Sequence, residues 1–130
     1  MNFRIRVVKP EELDAVLDLL ARIFPDADPD ITDDDIFLLA ESCGKLVGFA
    51  HVIEDDASVL LQGIGVEESI RCHGVGSALI EKVLEIFSDS DKTIFLKTNM
   101  SNPALELYER FGFKIKKFGS VHILERKREN

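Results

Sequence analysis

Two glycines one residue apart, Gly74 and Gly76, follow the cation Arg71 in the stretch RCHGVGSAL (residues 71–79). Glycine is a poor helix former, so a pair of them where a strand hands over to a helix points to a need for bare backbone. A helix start exposes unpaired amides and the positive end of the peptide dipole, which together hold phosphate. The two glycines would clear the approach and Arg71 would add charge. The backbone of Cys72, His73, Gly74, Val75, Gly76 and Ser77 would then form a pyrophosphate seat. The same glycines also fit close helix–strand packing, and G-x-G alone does not separate these two uses. Other phosphate loops are excluded. No GxxxxGK[ST] run occurs, and Leu79 and Glu68 stand where a dinucleotide fingerprint needs its third glycine.

Few other side chains could do chemistry. Tyr108 is the single tyrosine, and its phenol could act as a proton donor or simply fill the core. His51 lies within an apolar strand and could be a general base or a core histidine, and Glu54 is a further candidate base. His51, His73 and His122 are scattered, and Cys43 and Cys72 form no CxxC pair, so no metal site is expected. A small buried thiol is the default reading of Cys72.

These residues must be positioned by the elements that carry them. FRIRVV (residues 3–8) alternates as a strand does, and Pro10 opens a helix whose Leu13, Val16, Leu17, Leu20 and Phe24 share one face. PDADPDITDDD (residues 25–35) reads as an acidic loop with six aspartates. Two strands, residues 36–42 and 46–54, join across Cys43, Gly44 and Lys45, and a third covers residues 57–66. Val75, Ala78, Leu79, Val83, Ile86 and Phe87 stripe a helix running to about Ser88. TIFLKT (residues 93–98) reads as a buried central strand. A helix follows with Ser101 or Asn102 as N-cap, Pro103 at its first position and Gly112 at its close. FKIKK and VHILER finish as a hairpin about Gly119. The order predicts an α+β fold with a mixed, mostly antiparallel sheet of about seven strands and helices on both faces.

Two stretches carry a resemblance. IGVEESIRCHGVGSALIEKVLE is similar to the acetyl-CoA signature of the GNAT superfamily of N-acetyltransferases, R/Q-x-x-G-x-G/A opening a helix after a strand and short loop. ALELYERFGF is similar to that family's A-x-x-L-Y-x-x-x-G-F. The order of elements matches as well, so the resemblance spans nearly the whole chain. It implies a GNAT-like fold and acetyl transfer from acetyl-CoA, as co-substrate, to a primary amine by direct attack in a ternary complex.

Residue by residue, the resemblance implies that Ile64, Gly65 and Val66 offer backbone groups to the pantetheine arm, with an amide of Ile64 or Val66 facing the thioester oxygen. Residues 71–77 would hold the pyrophosphate. Tyr108 takes the place whose phenol faces the departing sulfur, with a pKa near ~10 that suits it to protonating a thiolate. Asn102 stands one residue short of the family's N-x-x-A spacing, and it could touch the cofactor or only cap the helix. Two family glutamates are missing, since Gln62 and Lys97 occupy those regions. The alternative is a non-catalytic module that binds acyl-CoA and senses or regulates.

Composition frames this reading. A 130-residue chain with 45% hydrophobic and 31% charged residues is expected to be one domain over residues 1–130. No apolar run reaches the roughly 20 residues of a membrane span, and no signal-peptide pattern follows Met1, so a cytoplasmic protein without membrane attachment is expected. The net charge of −8 is uneven: residues 1–65 hold 14 acids against 5 bases, and residues 66–130 hold 10 against 11. That acidity argues against nucleic acid and suits a cationic acceptor, whether a small amine or a lysine or peptide amine. Oligomeric state is not readable from the sequence, and a homodimer is open by analogy alone.

Overall fold

A computed structural model describes residues 2–26, 31, 35–70, 74–99, 105–117 and 121–126. Seven strands form one sheet: β1 (Arg4–Val7), β2 (Asp35–Ser42), β3 (Lys45–Glu54), β4 (Ser58–Val66), β5 (Thr93–Asn99), β6 (Lys114–Lys117) and β7 (Val121–Arg126). Their spatial order is β1-β2-β3-β4-β5-β7-β6, and only β4 and β5 run parallel. Three α-helices accompany them: α1 (Leu13–Ile23), α2 (Val75–Ile86) and α3 (Leu105–Arg110). The expected α+β class with a mixed sheet is what the chain adopts. The insertion of β7 between β5 and β6 was not legible, because a hairpin says which strands pair but not which one faces the rest.

Each face of the sheet has its own core. On one face α1 buries Val16, Leu19 and Leu20 against Phe37, Leu39 and Phe49. On the other, Val75, Leu79, Ile80 and Val83 of α2 cover Leu38, Ala40, Ala50, Val52, Val59 and Leu61, joined by Tyr108 and Phe113. Strand periodicity divides the residues: Phe37 and Leu39 turn to α1, and Leu38 and Ala40 turn to α2. Burying one such side chain contributes about 1.5–3 kcal/mol, so the two helices fix the sheet from both sides.

Local chemistry sets the boundaries. A 3₁₀ turn at Pro10–Glu12 precedes α1, with acids in the first turn and Arg22 in the last, as the helix dipole prefers. Arg6 of β1 donates to both oxygens of Glu12 at 2.6 Å and to Glu41 of β2 at 2.9 Å, pinning the edge strand. Asp55 accepts the amides of Ala57 and Ser58 at 2.8 and 2.7 Å and so turns β3 into β4. Lys92 donates to Glu54 and to the Asp55 carbonyl, which starts β5 beside the beginning of β4. The expected central strand is central in the sheet, with Ile94 and Leu96 buried, while Lys97 is exposed.

Candidate functional site

The site begins with a change of phase in β4. His51 of β3 pairs with Gly63, but Val52 pairs with Leu61, so Gln62 is an extra residue and forms a β-bulge. Before the bulge Val59 and Leu61 face α2; after it Ile64 and Val66 pack on that side. Gly63 and Gly65 are thereby turned toward α1, opposite His51 and Phe49.

At the same point β4 and β5 part. Their parallel ladder runs from Ser58↔Thr93 to Leu61↔Leu96 and stops there. Lys97, Thr98 and Asn99 continue to pair with β7 alone, and residues 63–66 continue against β3 alone. A gap therefore opens between two adjacent strands of one sheet. The edge of β4 along it spans about 13 Å at the usual strand rise.

The head of α2 stands beside this edge. Its N-cap, Gly74, has φ +85°, a left-handed conformation that favours glycine, and a Cβ there would meet nothing within 4 Å. Val75 packs on Gly48, which pairs with Val66 at the end of β4. A Cβ on Gly76 would come no nearer to any described atom than 3.7 Å, from Leu107 of α3, which is ordinary contact. Close helix–strand packing, one of the two uses open from the sequence, does not account for glycine at 76. Among the described residues, little covers the backbone at the head of α2.

On the opposite face the end of α1 roofs β4. A Cβ on Gly65 would lie 2.6 Å from Phe49 Cε1, 3.0 Å from Phe24 and 3.1 Å from Ile23, so this glycine is required by packing. Phe24 meets Phe49 edge to face with centroids 6.1 Å apart. Arg22 pairs with Glu67, whose amide donates to the Val47 carbonyl, tying the roof to the loop after β4.

The structure thus brings Ile64, Gly65, Val66, Gly74, Val75, Gly76 and Ser77 to one end of the molecule. Tyr108 is 6% exposed and lies in the α2-side core, on the helix whose Leu107 touches α2's first turn. His51 is not on that face. It is 4% exposed on the α1 side, stacked on Phe37, with Nε2 2.9 Å from Asp35 Oδ2. The two candidate catalytic side chains thus stand on opposite faces of the sheet. Arg71, Cys72, His73 and Asn102 lie outside the described residues. Glu54, the other candidate base, is held by Lys92 at 2.9 Å.

Asp35 was missed. It reads in sequence as the last of six aspartates in a solvated loop, yet it is the first residue of β2 and its side chain is 3% exposed. Nothing in its own spacing marks it out; only the β2–β3 register brings it to the imidazole. Among the described residues no group of three or more His, Cys, Asp or Glu could hold a metal ion, and no helix is long and apolar enough to cross a membrane.

A family model described as an acetyltransferase (GNAT) domain matches residues 33–115. Solved structures share the fold. ElaA of Escherichia coli aligns with a TM-score of 0.80 at 23% identity, over 97% of this chain and 100% of its own. The PaiA N-acetyltransferase of Thermoplasma acidophilum, solved with coenzyme A, gives 0.80 at 17% identity over 98% and 100%. A GNAT family acetyltransferase of Elizabethkingia anophelis with acetyl-CoA bound gives 0.75 at 16% identity over 98% and 99%. Among curated proteins none matches.

Proposed function

The chain belongs to the GNAT acetyltransferase family, and from that premise we propose that it transfers an acetyl group from acetyl-CoA to a primary amine in a ternary complex. The observation that carries the reading is the juxtaposition of the parted edge of β4 with the thinly covered head of α2. An extended chain with amides can add to that edge as a further strand, and a diphosphate can rest on the amides that Gly74 and Gly76 leave uncovered. Both parts suit coenzyme A, whose pantetheine arm carries two amides and whose diphosphate is anionic. Arg71, Cys72, His73 and Ser77 complete the proposed seat, with Ile64, Gly65 and Val66 along the arm. Asn102 is the further proposed contact.

When bound, acetyl-CoA supplies a thioester activated toward amines. This chain's residues do the rest. An amide of Ile64 or Val66 donates to the thioester oxygen as negative charge develops there; one such donor is worth roughly 3 kcal/mol in related acyl chemistry. Tyr108, on the α2 side of the sheet, would give its phenolic proton to the leaving sulfur. The acceptor amine arrives from the opposite, α1 side, where His51 takes up a proton, and the acidity of the chain's first half suits a cationic acceptor.

Calorimetric titration with acetyl-CoA, followed by turnover with spermidine, a lysine-containing peptide and an aminoglycoside, tests this. Saturable binding and acetylation of at least one amine are expected. Tight binding with no acetylation across the panel would instead identify a silent acyl-CoA-binding module, and failure to bind would remove the reading altogether.

A further inference from the structure

His51 and Asp35 form a buried imidazole–carboxylate pair, with side chains 5% and 3% exposed and Nε2 2.9 Å from Oδ2. A carboxylate oxygen is an acceptor, so the contact favours the tautomer with the ring N–H on Nε2, whose lone pair is on Nδ1. Among the described residues Nδ1 makes no hydrogen bond. The stack on Phe37, centroids 4.4 Å apart and planes at 15°, holds the ring against rotation. α1, β2 and β4 otherwise turn apolar side chains or glycine toward this face, so Asp35 is the titratable group that faces His51 among the described residues.

Beside the ring is an opening. Gly63 pairs with His51, so their side-chain positions share a face. Among the described residues a Cβ built on Gly63 would meet nothing within 4 Å, whereas the equivalent position on Gly65 is filled by Phe49, Phe24 and Ile23. The roof of α1 therefore ends between the two glycines. The uncovered one lies directly after the bulge, where β4 and β5 have parted. A buried histidine needs a hydrogen-bond partner whatever its role, so it is the adjoining space that a histidine serving only to fill the core would not require.

We infer that the slot over Gly63 seats the acceptor's amine and that Asp35 positions His51 to take a proton from it. This rests on the acetyl-transfer reading and deepens it by assigning the amine's side of the reaction. His51 Nδ1 takes one proton from the ammonium nitrogen, which then bonds to the acetyl carbon as the carbon–sulfur bond breaks. Of the two protons the nitrogen loses, one replaces the proton Tyr108 gives to sulfur. The other passes from His51 to solvent. Asp35 touches neither substrate in this scheme and is a positioning residue.

The test uses the full chain, acetyl-CoA and the best amine of spermidine, a lysine-containing peptide and an aminoglycoside. Wild-type kcat/KM is expected to rise with pH on a limb between about pH 5 and 8, the range in which imidazoles ordinarily titrate. His51→Gln should lose that limb and about 10²-fold or more of kcat. Asp35→Asn offers an amide that can donate to Nε2 and so move the ring proton onto Nδ1; it should lose about as much, with partial rescue in Asp35→Glu. Gly63→Leu fills the slot while leaving both His51 and Asp35 in the chain, and should raise the amine KM about tenfold while acetyl-CoA affinity is kept. Because Asp35→Asn replaces a buried group, retained acetyl-CoA binding serves as its check of folding, and Gly63→Leu tests the slot independently. Wild-type pH limbs in His51→Gln and Asp35→Asn, or an unchanged amine KM in Gly63→Leu, overturn the relay and leave acetyl transfer standing. A wild type that binds no acetyl-CoA, or acetylates no amine, overturns both.

Discussion

Three of the glycines near the site have different physical reasons for being glycine. Gly65 lacks room for a side chain, Gly74 adopts a positive φ, and Gly76 has neither constraint within the protein. Gly65→Ala should therefore cost about 1–3 kcal/mol in denaturant unfolding, because Phe49, Phe24 and Ile23 must all give way. Gly76→Ala should leave stability unchanged or raise it by up to about 1 kcal/mol, while weakening acetyl-CoA at least tenfold by calorimetry. A Gly76→Ala protein with full affinity would show that the head of α2 is not the diphosphate's seat. Tyr108→Phe keeps the ring that packs in the α2-side core and removes only the hydroxyl. Its kcat should fall about 10²-fold with acetyl-CoA affinity within threefold of wild type; an unchanged kcat would make Tyr108 a core residue only.

At the level of elements, the site depends on helices held to a sheet that is itself interrupted. α2 is fixed by Val75, Leu79, Ile80 and Val83. Leu79→Ala should cost about 2–5 kcal/mol in stability, and any loss of acetyl-CoA affinity should follow unfolding and not precede it. The edge strand is held by charge as well as by its ladder. The bidentate hydrogen bond from Arg6, helped by the Lys9 amide, lowers the Glu12 carboxyl from its ordinary 4.5 to about 2, and Arg6 also lowers Glu41. A carboxyl depressed in the folded state contributes stability above its unfolded value and loses it as pH falls through its folded value. The thermal midpoint should thus decline from about pH 4.5 toward pH 2, and Glu12→Gln should flatten that decline. Since the pair is partly exposed, added salt should shrink the difference.

For the whole molecule, the sheet separates two approaches that meet where β4 and β5 part. The α2 side carries Tyr108 and the head of α2; the α1 side carries His51, Asp35 and the uncovered Gly63. In the proposed reaction this division would let each of two substrates arrive without crossing the other's path. Amide hydrogen exchange can test the arrangement without knowing the acceptor. Amides of residues 59–61, paired on both sides, should exchange more slowly than those of residues 63–65, paired only with β3. Acetyl-CoA should then protect residues 63–66 and the first turn of α2. Protection confined to other segments would put the co-substrate somewhere else.

The sequence by itself determined the elements and the family, because helix stripes, strand alternation and the two glycine-bearing signatures are local patterns that survive whatever surrounds them. Gly74, Gly76, Tyr108 and the end of β4 were legible for that reason. Facing was not. One extra residue, Gln62, shifts the phase of β4 and sends Gly63 and Gly65 to the α1 side, away from the side that Val59 and Leu61 face. A bulge is fixed by two strands together, so neither strand's own pattern announces it. The same holds for Asp35, one aspartate among six until the β2–β3 register carries it to His51. Tertiary structure alone decided which carboxylate leaves water, because only a partner within hydrogen-bond reach offsets the loss of hydration.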